Sequence, residues 1–456
     1  MVTSQARDLA LEALGDRQGM FGAHLERLLA ERTPPPQEAH LATELVRGVV
    51  RRQRTLDVVV RVFSARPDRT GAVDVQNILR LAIYQLIFLD RVPDFAAVNE
   101  AVEACRRRHP RMAGYVNALC RNVARALGSV EEGPPAQDGS AVPLTPDRHR
   151  RFETPVFAPA ALLPQQWLGQ VCSLPEDLAG RWLTRAGSLE RAFHLAMQAD
   201  GRPPVAARVN VARMTVAEAL AALAAAGVEA VAHEDRRNVV FTGAVNIGAL
   251  ELFQQGILTP QDPSATAVVP DLDIRPGQRV LDLCAAPGTK TTHIAELLGG
   301  RGEVVAADVS EDRLARISEA AARCGLTNIR PILAEQVGSL EPGSFHRVLV
   351  DAPCSNTGVL ARRIEARWRF SADGLGRLAG DQRRLLELGA LFLAPAGRMV
   401  YSTCSIEPEE NDGVVQSFLS RQKKFRRLSH TATDPLTFAP PEKYHDGGYR
   451  AVLARG

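Results

Sequence analysis

Cys354 and Cys404 are the residues best suited to covalent chemistry in this 456-residue chain. Cys354 stands in DAPCS and Cys404 in STCS, and each follows a short β-prone run, RVLV or RMVY. Other runs close in acids: RVLD at Asp282, just before Cys284; EVVAAD at Asp308; and IRPIL shortly before Glu335. RVLVD itself closes at Asp351. In an open parallel sheet, ligands bind beyond the carboxyl ends of the strands. Five strands that end in acids or thiols on one rim therefore mark one site. The loop Ala285-Ala286-Pro287-Gly288-Thr289-Lys290 follows the first of them, with Gly288 at the turn, so its backbone can approach a ligand closely. Asp308, twenty residues beyond Gly288, has the spacing at which a carboxylate meets ribose hydroxyls. The loop is neither the GxGxxG of a dinucleotide site nor the GxxxxGK of a P-loop, which weakens a nicotinamide-dehydrogenase reading.

No CxxC and no nearby histidine pair accompanies the two thiols, so a zinc site is not expected. Two thiols beside a nucleoside-type cofactor suit nucleophilic attack on an electron-poor ring, and cytosine is such a ring. A thiolate adding to C6 turns C5 into an enamine carbon able to attack a methyl sulfonium; loss of the C5 proton then expels the thiolate. An acid at cytosine N3 assists the addition, and Asp351 is placed for that role. A free thiol has a pKa of about 8.5, so a nearby cation such as Lys290 would raise its thiolate fraction. Position alone does not separate the roles of Cys354 and Cys404.

The elements that must hold these residues follow from periodicity. Residues 1–128 read as helices, with apolar positions three and four apart in ARDLALEALGDR, HLATELVRGVVRRQRTLDVVVRVF and VQNILRLAIYQLIFL. NEAVEACRRR and YVNALCRNVARAL follow, separated by a break at His109-Pro110. GSVEEGPPAQDGSAVPLTPD, dense in Pro, Gly, Ser and acids, reads as an interdomain linker over 129–150. Residues 151–260 read as a small α+β module, with strands at VAARVNV, VEAVAH and NVVFTG. A helix between them is opened by a Thr215/Glu218 capping box. From 261 to 456, apolar strands alternate with helices, which predicts a doubly wound parallel α/β sheet.

Composition excludes several classes. No apolar run approaches the roughly 20 residues of a membrane helix. The opening MVTSQARDLALEAL carries arginine and acids where a signal peptide needs an apolar core. Seven scattered cysteines make no disulfide framework, so a reduced cytoplasm is expected. The net charge is only +3, yet residues 1–128 hold 19 arginines against 14 acids. Two basic clusters stand out there, Arg51, Arg52 and Arg54, and Arg106, Arg107, Arg108 and Arg111. Only four of the 55 basic residues are lysines, and Lys290 is the single one before residue 423.

Taken together, DLCAAPGTKTTHIAE, AADVSEDRL, VDAPCSNTGVL and YSTCSIEPEEN resemble the RsmB/Sun (Fmu) family of 16S rRNA cytosine-C5 methyltransferases. The helical region resembles the antitermination factor NusB, notably in VNEAVEACRRR and YVNALCRNVAR. The resemblance implies an all-α NusB-like domain before a class I (Rossmann-like) methyltransferase domain, with S-adenosylmethionine as donor and 16S rRNA as partner. A monomer without metal is expected. By motif position it places the cofactor against Cys284, Ala285, Ala286, Pro287, Gly288, Thr289 and Lys290, then Asp308, Glu335 and Asp351. It makes Cys404 the nucleophile and gives Cys354 a part in product release. Two departures from the family pattern are Glu335 in place of an aspartate, and Gly447-Gly448-Tyr449, where an aromatic pair is usual. RNA is expected to meet the basic helical domain, and also Arg362, Arg363, Arg367 and Trp368. Trp368 stacking would return about 1–3 kcal/mol of the cost of unstacking the target base.

Overall fold

The computed structural model describes residues 5–16, 18–65 and 72–456. Two compact units divide it: Met1–Gly201 with Arg363–Phe370, and Arg202–Arg362 with Ser371–Gly456.

The first unit is built on the helices Gln5–Leu14, Phe21–Arg32, Pro36–Phe63, Val73–Phe88, Asp94–Arg108 and Ala113–Ala126. Arg17, the last residue of the expected first helix, lies outside the described residues. Leu45, Val49, Leu56 and Val59 recur at helical spacing on Pro36–Phe63 and are all buried, which is why this stretch folds as one long amphipathic helix. The break at His109-Pro110 is present, with a single 3-10 turn at Pro110–Met112.

The segment expected as a linker is folded. Leu127–Glu132, Ala141–Thr145 and Arg148–Phe152 form a three-stranded antiparallel sheet with the last of these in the centre. Its polar composition misleads because the Pro, Gly and Asp residues make its turns, while Ala141, Val142 and Phe152 are buried. Asp138, for example, accepts from both the Ser140 backbone NH and its hydroxyl. A second boundary moves as well. The helices Pro164–Val171, Glu176–Ala186 and Leu189–Gln198 belong to the first unit, so the α+β module expected over 151–260 is split at residue 201. Burial of Trp167 and Trp182 supplies the reason, since large apolar surfaces end where a core can cover them.

The second unit opens with a four-stranded antiparallel sheet, ordered Ala230–Ala232, Asn238–Phe241, Val205–Val209, Leu258–Pro260. The helix Val216–Ala225 packs on it and is opened by the Thr215–Glu218 capping box. A seven-stranded sheet follows: β1 (Arg279–Asp282), β2 (Glu303–Asp308), β3 (Ile329–Leu333), β4 (Phe345–Asp351), β5 (Leu393–Thr403), β6 (Phe425–Thr433) and β7 (Gly448–Arg455). Their order is 3-2-1-4-5-7-6. The first five are parallel, as the sequence implied; β7 runs antiparallel to both β5 and β6.

Alternation along the central strands feeds two cores. Leu281, Val305, Val348, Val350 and Met399 pack with Leu386 and Phe418 on one face. Val280, Val304, Leu349 and Val400 pack with Ile294 and Leu298 on the other. Neither β6 nor β7 was legible as a strand. In FRRLSHTAT, Arg426, Leu428, Ser429 and His430 are unevenly exposed on a sheet edge, so no clean alternation develops.

Candidate active site

The carboxyl ends of β1, β2, β4 and β5 carry Asp282, Asp308, Asp351 and the Thr403–Cys404 step. The β1 loop is fixed from two sides. Asp308 Oδ2 accepts from the Ala286 NH at 2.9 Å, while its Oδ1 accepts from the Val309 NH at 2.8 Å and lies 3.1 Å from Arg313 Nε. Gly288, at φ +101°, adopts a backbone that side chains disfavour, and an added Cβ would stand 3.3 Å from the Ile317 Cα. From the helix that follows (Thr289–Leu298), the Thr291 hydroxyl donates to Asp282 Oδ2 at 2.7 Å. Burial pushes the Asp282 carboxyl up to about 7 against that hydrogen bond, and its Oδ1 is buried outside the hydrogen-bonding geometry of any donor. Burial, reinforced by Asp282, Asp351 and Asp308, likewise raises the Cys284 thiol and keeps it protonated.

Lys290 Nζ donates to Asp351 Oδ2 at 2.7 Å, and the Ser402 hydroxyl donates to Asp351 Oδ1 at 2.6 Å. Burial alone would lower the Lys290 ammonium; the facing Asp351 carboxylate outweighs it and holds the ammonium above its ordinary value.

Beyond this pair the two thiols meet, Cys354 Sγ to Cys404 Sγ at 3.2 Å. Adjacent parallel strands β4 and β5 bring them together, since Asp351 pairs with Ser402 in register. Backbone contacts then lock their loops. The Gly358 NH donates to the Cys404 carbonyl at 3.0 Å, and the Gly447 NH to the Gly358 carbonyl at 2.8 Å. A Cβ on Gly358 would fall 2.5 Å from the Gly447 carbonyl oxygen, so only glycine permits this approach. Glu410 clamps the Cys354 loop: its Oε1 accepts from the Ser355 NH and from Gln382 Nε2, which also donates to the Pro353 carbonyl. The hydrogen bond with Cys404, and then burial, hold the Cys354 thiol well above its usual range.

Glu335 lies past β3 in the 3-10 turn Ala334–Ser339 and is exposed. The residues expected to meet RNA are placed differently from one another. Arg362 is committed within the second unit, with Nε on Asp446 Oδ2 at 2.8 Å and Nη2 on the Tyr444 hydroxyl at 2.6 Å and the Pro204 carbonyl at 3.0 Å. Arg367 is 0% exposed in the first unit. It pairs with Asp200 at 2.8 Å and donates to the carbonyls of Arg51, Ser173 and Ala199. No face of its guanidinium is left for RNA, which corrects the sequence expectation. Trp368 is half-buried, its indole NH donating to the Val50 carbonyl at 2.9 Å, while Arg363 is exposed. The cluster Arg51, Arg52 and Arg54 also turns inward. Arg52 pairs with Asp200 at 2.8 Å, and Arg54 donates to the Leu174 carbonyl.

Sequence reasoning did not single out Asn356, Glu410, Gln382, Thr291 or Ser402. Glu410 sits in EPEEN, an acidic run that reads as solvated although the side chain is 0% exposed. Asn356, two residues past Cys354 inside a recognised motif, was the one signal available.

Residues 269–452 match the family described as 16S rRNA methyltransferase RsmB/F, and residues 4–125 match the NusB family. A probable ribosomal RNA small subunit methyltransferase B of Bacillus subtilis is 33% identical over 432 residues, covering 93% of this chain and 90% of the relative. The corresponding Synechocystis protein is 32% identical and covers 99% of both chains. Among solved structures, PH0851 superposes with a TM-score of 0.75 over 99% of both chains at 23% identity, a likeness of fold. A methyltransferase homologue from Pyrococcus horikoshii, 27% identical, covers 65% of this chain and 99% of its own with a TM-score of 0.55. The chain therefore belongs to the RsmB family, enzymes that join a NusB-like domain to an S-adenosylmethionine-dependent methyltransferase domain.

Proposed function

We propose that the enzyme methylates C5 of a cytosine in 16S ribosomal RNA through a covalent bond between Cys404 Sγ and cytosine C6. The observation that carries this reading is the pair of thiols 3.2 Å apart beside the Lys290–Asp351 ion pair. The choice of RNA follows the names of the family and of its Bacillus and Synechocystis relatives.

The β1 loop suits S-adenosylmethionine, given the acids at the ends of β1, β2 and β4 and the unpartnered Asp282 Oδ1. Cys284 through Lys290 would hold the donor by backbone, Asp308 by the lone pairs its two oxygens keep free, and Glu335 and Asp351 from neighbouring strand ends. When bound, the donor supplies an electrophilic methyl group on a sulfonium. Cys404 adds to C6 as a thiolate, and the proton it gives up is relayed through Asp351 to N3, while Lys290 keeps donating to Asp351 at 2.7 Å. C5 thereby gains the electron density it needs to accept the methyl group. Loss of the C5 proton to water then re-forms the C5–C6 double bond, the N3 proton returns to Asp351, and Cys404 leaves as a thiolate. Cys354, held as a thiol, donates to that leaving sulfur in this reading.

In the first unit, a groove of about 880 Å³ runs between the helices Asp94–Arg108 and Ala113–Ala126. Arg106, Arg121 and Arg125 line it with Asn99 and Asn117, and Phe95 stands 77% exposed on its wall. Cations for phosphates and a ring for stacking are the groups that single-stranded RNA requires. Incubation of the enzyme with methyl-labelled donor and a 16S transcript tests the proposal. Label at cytosine C5 with wild type and none with Cys404→Ala is expected; equal labelling by the variant overturns it.

A further inference from the structure

Asn356 lies beside the two thiols in a left-handed backbone, φ +62°, unusual for a residue other than glycine. Its Nδ2 donates to the Cys354 carbonyl at 2.8 Å. A carbonyl only accepts, so the amide has one orientation, and its Oδ1 must face Cys404 Sγ, 3.2 Å away. That oxygen only accepts as well. With Cys404 as a thiol, its hydrogen is the one that can bridge to the Asn356 oxygen, and the 3.2 Å contact between the sulfurs is then made with the Cys354 hydrogen. The hydrogens thus run in one direction: Asn356 amide to the Cys354 carbonyl, Cys354 thiol to the Cys404 sulfur, Cys404 thiol to the Asn356 oxygen.

We propose that Asn356 is a positioning residue that keeps Cys404 a thiol, aimed at the amide oxygen, until substrate displaces that contact. The inference rests on the reading of Cys404 as the nucleophile. A hydrogen bond to the neutral form of a group disfavours its charged form, and a carbonyl oxygen 3.2 Å from a thiolate repels it. The same chain of hydrogens makes Cys354 the donor to Cys404, in keeping with the roles that the family resemblance implies for the two thiols. Other groups act on the pair from neighbouring elements. Lys290 faces Cys404 from the helix Thr289–Leu298, itself coupled to Asp351 and Asp282, and Glu410 and Tyr401 act on Cys354. All of these stay unchanged when Asn356 alone is varied.

The test is the rate of alkylation of Cys404 by iodoacetamide between pH 6 and 10, read by peptide mass mapping that distinguishes it from Cys354. Asn356→Gly keeps the left-handed backbone without strain and removes the acceptor. Its midpoint should fall by about one pH unit, a tenfold rise in thiolate fraction at neutral pH. Asn356→Asp keeps an acceptor and adds a negative charge, so its midpoint should rise above that of wild type. Unchanged donor binding by calorimetry establishes that both variants are folded. Coincident profiles for the three proteins overturn the proposal. Because alkylation needs no RNA, a shift in these midpoints with no methyl transfer by wild type would retire the proposed reaction and leave the positioning role standing.

Discussion

Replacing Arg367 with methionine separates two accounts of a residue that sequence reasoning assigned to RNA. In the structure three arginines, 51, 52 and 367, gather around Asp200 with no exposed face between Arg367 and its partner. Removing one partner of a buried ion pair costs roughly 3–5 kcal/mol. Three carbonyls, those of Arg51, Ser173 and Ala199, lose a donor in addition. Two terms act the other way. Asp200 keeps Arg52 at 2.8 Å, and Arg51 is relieved of a like charge that, after burial, is the main influence lowering its guanidinium to about 10. The lower end of the range, about 3 kcal/mol, is therefore the expected cost. For a cooperative unit of roughly 200 residues this is a fall of about 6–12 °C in Tm. Thermal unfolding followed by circular dichroism, beside filter binding of 16S transcript from 50 to 200 mM salt, is the assay. The buried-pair account requires the drop in Tm and an unchanged salt slope for the folded variant. An unchanged Tm, with the slope of log K against log salt reduced by about one, would refute it.

The remaining expectations concern titration and RNA docking. An aspartate in an unfolded chain ionises at about pH 3.9, whereas burial holds Asp282 protonated up to about 7. The folded state binds the extra proton between these values, so this contribution to stability is full below about pH 4 and is lost as pH rises through about 7. Asp282→Asn should therefore gain stability relative to wild type as the pH rises across that window, and curves of Tm against pH that stay parallel would contradict the shift. Arg106→Ala with Arg121→Ala, both in the groove of the first unit, should lower the salt slope of RNA binding by about 1.5 and leave the Tm within a few degrees. An unaltered slope would place RNA elsewhere.

What could be read in advance and what could not divide along physical lines. The long helices and the β1 to β5 rim were legible because their periods and closing residues are local. The β1 loop with Asp308, and the motifs that carry Cys354 and Cys404, needed only spacing. Buried charge was not legible. Arg51 and Arg367 look like solvated residues until Asp200, distant in sequence from both, provides the partner. Glu410 hid in an acidic run for the same reason, its donors being Ser355 and Gln382. The sheet over 127–152 was missed because turn residues dominate its composition, while its few buried positions carry the pairing. The order of hydrogens around Asn356 depends on a backbone conformation that no propensity predicts.

The central claim, that Cys404 bonds to the base and Cys354 assists its departure, has one direct measurement. Cys354→Ala enzyme, incubated with S-adenosylmethionine and 16S transcript, is denatured and run on a denaturing gel. The account predicts a slowly migrating protein–RNA species that joins Cys404 to a methylated cytosine and is absent from Cys354→Ala/Cys404→Ala. A species that persists in the double variant, or no species with Cys354→Ala while C5 methylation proceeds, would contradict it.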